Sequence, residues 1–136
     1  MKVGVVVVTH HGLGREFVNS LKQIVPSPPD FRTVAIDPAQ SVDEMRNAIA
    51  KELREAEQGM GVLVLTDMFG GTPSNMSLSF LGEQHVEVVT GMNLPMLIKL
   101  ATLREEQSLE ELATFIKEYG QRNISVASEL LPRAER

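Results

Sequence analysis

Val3-Gly4-Val5-Val6-Val7-Val8-Thr9-His10-His11-Gly12 stands near the start of the chain. Its first six residues are an almost unbroken β-branched run, which predicts a parallel strand covered on both faces. The run is too short to span a membrane. It also stops at Thr9-His10-His11-Gly12 without the small-residue pattern of a signal cleavage site. A cytoplasmic protein opening on a central strand is the expectation.

Reading outward, Leu13, Phe17, Leu21 and Ile24 recur at helical spacing, with Val18 and Val25 beside them. Pro26-Ser27-Pro28-Pro29-Asp30 ends that helix. Residues 31–36 read as a second strand. Ser41 and Glu44 have the spacing of a capping box ahead of a stripe at Met45, Ile49 and Leu53. Residues 62–65 read as a third, short buried strand, and residues 67–75 as a Gly-rich turn. Within that turn, Thr72-Pro73 read as an N-cap followed by proline at the first helical position. Met76, Leu78, Phe80 and Leu81 fall in the helix that follows.

Residues 85–90 read as a fourth strand. Gly91-Met92-Asn93-Leu94-Pro95 then turn into a helix holding Met96, Leu97, Leu100 and Leu103. Ser108 and Glu111 make a second capping box, for a helix reaching Tyr119 with Gly120 as its stop. Residues 124–127 predict a last strand. Strands alternating with helices imply an α/β fold with a mostly parallel central sheet and helices on both faces. One domain over residues 1–130 and a polar tail at 131–136 are expected, since the 136 residues show no repeat or interdomain linker.

Composition removes whole classes of function. The chain has no Cys, which excludes disulfides, thiolate metal sites and a cysteine nucleophile. Its net charge of -5 lacks the basic footprint of a nucleic-acid binder.

In a parallel sheet, ligands sit beyond the carboxyl ends of the strands. That rule selects residues 9–12, 67–75 and 91–95. His10 lies just past the first strand. Imidazole titrates near 6.5 when unperturbed, so it offers a neutral nucleophilic nitrogen near pH 7. A carboxylate that accepts from one ring nitrogen frees the lone pair of the other, and Asp67 is the evident partner. The alternative is a hydrogen-bonded structural histidine. In the turn, Gly70 and Gly71 allow close backbone approach, and a helix N-terminus favours an anion. Thr72, Ser74 and Asn75 supply polar groups for phosphate oxygens. The alternative there is a tight turn with a cap. The turn is not a Walker loop, because no Gly-Lys-Ser/Thr follows. A metal held by His10, His11 and Asp67 is disfavoured, because adjacent residues point different ways. His85 reads as a surface residue.

Three motifs combine these pieces: Val7-Val8-Thr9-His10, Leu65-Thr66-Asp67-Met68-Phe69-Gly70-Gly71-Thr72-Pro73-Ser74-Asn75, and Thr90-Gly91-Met92-Asn93-Leu94-Pro95-Met96-Leu97. With them, residues 1–127 resemble the enzyme IIA domain of the mannose family of the bacterial phosphoenolpyruvate:sugar phosphotransferase system. The resemblance implies a phosphocarrier with His10 as acceptor, Asp67 as the carboxylate that orients it, and Thr72 as the hydroxyl of the Gly-Gly turn. It implies HPr as phosphoryl donor, enzyme IIB as acceptor, and no metal, nucleotide or other cofactor. It also implies an antiparallel edge strand around residues 124–127, exchanged between the subunits of a homodimer. Other readings within the resemblance are a regulatory phosphoprotein and a phosphoryl donor to a dihydroxyacetone kinase.

Two residues depart from the family pattern. His11 stands where a small residue is common. Ser74 replaces a bulkier apolar residue and is expected to alter the partner-facing rim, which Met68 and Phe69 are expected to line. With no Ala/Pro-rich linker or IIB domain before Arg136, a stand-alone IIA protein is expected.

Overall fold

A computed structural model describes residues 2–131; of the expected tail, residues 132–136 lie outside the described residues. The valine run forms β1 (Lys2–His10). Successive side chains of a strand point to opposite faces, so Val5 and Val7 enter one core while Val6 and Val8 enter another. β3 (Gly59–Thr66) repeats the division, with Leu63 and Leu65 on the first face and Val62 and Val64 on the second. Two buried faces are why both strands read as apolar runs rather than as alternating ones.

Between and after these strands lie α1 (Leu13–Ile24), β2 (Arg32–Ile36), α2 (Val42–Ala56), α3 (Thr72–Leu78), β4 (Val86–Thr90), α4 (Leu94–Thr102), α5 (Leu109–Arg122) and α6 (Ala127–Leu130). The four strands are all parallel, in the order β2-β1-β3-β4. α1, α4 and α5 cover one face, sending Val18, Leu21, Met96, Leu97, Leu112 and Ile116 into the first core. α2 covers the other with Met45, Ile49 and Leu53, joined by Phe80 from the turn after α3. Burying each of these large side chains stabilises the fold by about 1.5–3 kcal/mol. The α/β sandwich of helices around a parallel sheet is therefore as the sequence predicts.

The capping signals hold with two adjustments. Ser41 and Glu44 form a full capping box: the Ser41 hydroxyl accepts from Glu44 N–H at 3.1 Å, and the Glu44 carboxylate accepts from Ser41 N–H at 3.0 Å. At α5 only half of that pattern is made. Ser108 Oγ accepts from Glu111 N–H, while the Glu111 carboxylate takes the Ser108 hydroxyl instead of its backbone. At α3 the cap is Gly71 rather than Thr72, and the helix ends at Leu78, short of Phe80 and Leu81.

Two expectations for the C-terminal third are corrected. Gly120 does not stop α5, which continues to Arg122. A Cβ on Gly120 would lie 2.4 Å from Met96 Sδ, so this glycine serves close packing of α5 on α4 rather than a left-handed turn. Residues 124–127 form no strand within the described residues. Residues 124–126 have no regular structure and Ala127 opens α6, so the sheet has no antiparallel edge strand in the single chain. The sequence pattern there is strand-like, but in the single chain the segment pairs with no strand of the described sheet.

Candidate active site

The chain leaves β1 for β2 on one side and returns past β1 to β3 and β4 on the other. The carboxyl ends of β1 and β3 therefore flank the point where strand order reverses, the place where such sheets open a crevice. His10 is the last residue of β1, and Asp67 follows directly on β3. The register pairs Val8 with Thr66, which levels the two strand ends. Chain order alone separates these residues by 57 positions; the topology makes them neighbours.

One carboxylate oxygen, Asp67 Oδ2, accepts from His10 twice: from the ring at Nδ1 (2.8 Å) and from the backbone N–H (3.0 Å). Oδ1 accepts the N–H of Met68 at 3.1 Å. Burial, the largest influence on Asp67, pushes its carboxyl up. The ring and backbone bonds from His10, with the attraction between the two groups, outweigh burial and hold it below the usual aspartate value. An ionised carboxylate can only accept, so Nδ1 carries a ring proton, and in the neutral imidazole Nε2 keeps a free lone pair. The Asp67 side chain is 10% exposed and the His10 side chain 44%, so the ring is fixed from beneath and open above.

Gly71 sits against the other edge of the ring. A Cβ built there would lie 2.7 Å from His10 Cε1 and 3.0 Å from Nε2. Its backbone is extended at φ -89°, ψ 172°, a conformation open to any residue. Gly70 is the reverse case: a Cβ there meets nothing within 4 Å, but φ is +90°. Thr72 and Asn75 are exposed on the first turn of α3. Ser74 is fully buried, and its hydroxyl has no partner among the described residues. It therefore lies under the site and not on its rim, contrary to the expectation from its substitution. Met68 and Phe69, the two residues after Asp67, are 53% and 71% exposed.

Thr9 received no role from the sequence. It is fully buried, its hydroxyl accepts the N–H of Gly14 at 2.7 Å, and it faces the carbonyl of His11 at 3.3 Å. With the His11 N–H donating to Ile36 O at 3.0 Å, this fixes the turn that carries His10 out of the sheet. The signal available was a hydroxyl residue near the end of each central strand, Thr9 and Thr66. The Thr66 carbonyl takes the N–H groups of Gly91 and Met92 and so holds the third strand-end segment in place. His11 is exposed with a left-handed φ of 46°, a region uncommon for residues other than glycine. His85 lies on the surface, paired with Glu110 at 3.2 Å. Among the described residues no three His, Asp or Glu side chains gather to hold a metal ion, and no helix is long and apolar enough to cross a membrane.

Comparison with known proteins agrees with this architecture. The fructose-specific EIIA component of the phosphotransferase system (PTS) of Bacillus subtilis (strain 168) is 29% identical over 96% of this chain and 90% of its own. Among solved structures, the mannose/sorbose-specific IIA subunit from Enterococcus faecalis superposes with a TM-score of 0.83 at 30% identity, covering 93% of this chain and 95% of that one. The PTS IIA protein associated with the fucose utilization operon of Streptococcus pneumoniae gives 0.80 at 25% identity, covering 97% and 98%. The family model EIIA-man, described as PTS system fructose IIA component, matches residues 4–117, and the chain belongs to that family of phosphotransferase-system IIA components.

Proposed function

We propose that this protein is a phosphohistidine carrier, taking a phosphoryl group from phospho-HPr onto Nε2 of His10 and passing it to an enzyme IIB partner during sugar uptake. The observation that carries the reading is the contact of His10 Nδ1 with Asp67 Oδ2 at 2.8 Å. It supports an imidazole whose outward nitrogen is unprotonated, nucleophilic and reachable.

In each transfer phosphorus bonds to the acceptor as its bond to the donor's ring nitrogen breaks: first onto Nε2 of His10 from phospho-HPr, then from Nε2 onto the enzyme IIB acceptor. The donor imidazole leaves with the electron pair. Positive charge grows on the His10 ring as the new bond forms, and the Asp67 carboxylate, only 10% exposed beneath it, stabilises it. Phosphoryl transfer is governed by positioning and by donors aimed at the equatorial oxygens. Backbone N–H groups at Gly70, Gly71 and Thr72, with the Thr72 hydroxyl and the Asn75 amide, are suited to that task. The phosphoryl group arrives already activated on a protein, so the chemistry calls on no cofactor. Exposed Met68 and Phe69 suit the apolar centre of a transient docking surface.

The protein acts in the cytoplasm as one domain over residues 1–130 and forms a homodimer. Among the described residues no strand lies on the outer side of β4, while Ile124 and Val126 stand 75% and 60% exposed, two positions apart. A strand from each subunit, laid antiparallel on the other's β4, would cover both liabilities.

The test is to incubate the protein with labelled phosphoenolpyruvate, enzyme I and HPr, then add enzyme IIB. Wild-type protein should take up acid-labile label and lose it to enzyme IIB; His10→Ala should take up none. Label that persists in His10→Ala and disappears in His11→Ala would move the acceptor by one residue.

A further inference from the structure

The two adjacent glycines of the turn differ in what a side chain would cost. Gly70 has its backbone at φ +90° and nothing within 4 Å of a built Cβ, so it is glycine for conformation. Gly71 has φ -89° and ψ 172°, which any residue adopts, and so has no conformational need to be glycine. Its obstacle is the His10 ring, with Cε1 2.7 Å and Nε2 3.0 Å from the Cβ position.

A terminal side-chain atom can usually yield to such a clash. This ring cannot do so freely, because Nδ1, next to Cε1 in the ring, is held by Asp67 at 2.8 Å and the residue's backbone N–H by the same oxygen at 3.0 Å. A methyl group at residue 71 would have to push the imidazole off Asp67 or occupy the space beside Nε2. Both outcomes act on the reactive nitrogen.

We infer that Gly71 is a positioning residue: the absence of its side chain keeps the His10 ring seated on Asp67 and leaves room beside Nε2 for the phosphoryl oxygens. The inference rests on His10 being the acceptor. It divides the Gly-Gly pair, with Gly70 shaping the loop and Gly71 clearing the reaction space.

The experiment compares wild type, Gly71→Ala and Gly70→Ala by thermal unfolding, by ring 15N NMR of His10, and by labelling from two donors. One donor is phospho-HPr. The other is phosphoramidate, which needs no protein docking. Gly71→Ala is expected to melt within a few degrees of wild type, to lose the Nδ1–H tautomer signature, and to label about 100-fold more slowly from both donors, as a misplaced reacting group does. Gly70→Ala is expected to melt several degrees lower with the His10 tautomer retained. In the unaltered protein, a Gly71 Hα should show a nuclear Overhauser contact to His10 Hε1, which holds the inference to account even where the variant misfolds.

A labelled wild type with equally fast Gly71→Ala overturns the inference and leaves the carrier reading intact. Slow labelling from phospho-HPr alone makes Gly71 a docking residue and also overturns it. A wild type that takes no label from either donor removes the carrier reading, and the inference with it.

Discussion

Asp67 Oδ2 joins the last residue of β1 to the end of β3 by accepting both the ring and the backbone of His10, at 2.8 and 3.0 Å. A single oxygen thus sets where the ring stands and which nitrogen bears the proton. Asp67→Asn disturbs both. With its oxygen at the Oδ1 position, still accepting the Met68 N–H, the amide presents NH2 to Nδ1, which favours the ring proton on Nε2, and no longer accepts the His10 backbone N–H. The fold should survive while labelling of His10 slows by up to roughly 10,000-fold, the loss seen when a carboxylate that orients a catalytic histidine becomes an amide. An initial labelling rate equal to wild type would remove Asp67 from the mechanism.

The same pair predicts an acid dependence. Unfolded aspartate titrates near 4, and folded Asp67 titrates lower. Its ionised form is therefore favoured by folding. The stability it contributes is complete above about pH 4 and is lost as pH falls through the folded value. Urea unfolding of wild type and Asp67→Asn should show a gap that narrows as pH falls from about 4 toward about 2. A gap that widens on acidification would contradict the assignment.

Thr9 gives a prediction about stability. Its hydroxyl is the acceptor for the Gly14 N–H inside the first turn of α1, where Gly12 provides no side-chain cap. Thr9→Val keeps the shape and leaves that buried N–H unpaired, which costs about 1–3 kcal/mol. Thr9→Ser restores the acceptor and should recover most of the loss. Denaturant midpoints at unchanged m-value would measure both.

These residues mark what the sequence could and could not convey. The division of Val5 and Val7 from Val6 and Val8 follows from the period of a strand, and Ser41 with Glu44 from the geometry of a helix start. Both are local, and both were legible. The meeting of His10 with Asp67 depends on strand order, so sequence could nominate the pair but not join them. Gly120 misled because a glycine near a helix end has two physical uses, a left-handed stop or close packing, and only the position of Met96 decides between them. Gly71 hid its role in the same way beside Gly70. Residues 124–127 carry a strand-like pattern, but a strand exists only where it pairs with an edge, and within the single chain this segment pairs with none.

That last segment supplies a prediction about assembly. Ile124 and Val126 are exposed, and among the described residues no strand lies on the outer side of β4, so the proposed exchange should bury both side chains between subunits. A charge placed there meets a desolvated contact on each side of a symmetric interface and is felt twice. Sedimentation should find wild type dimeric and Val126→Asp monomeric at micromolar concentration. His10, Asp67 and Gly71 all come from one chain, so the monomeric variant should still accept label from phospho-HPr. A Val126→Asp protein that stays dimeric would place the subunit contact elsewhere; a wild type that sediments as a monomer would remove the exchanged strand altogether.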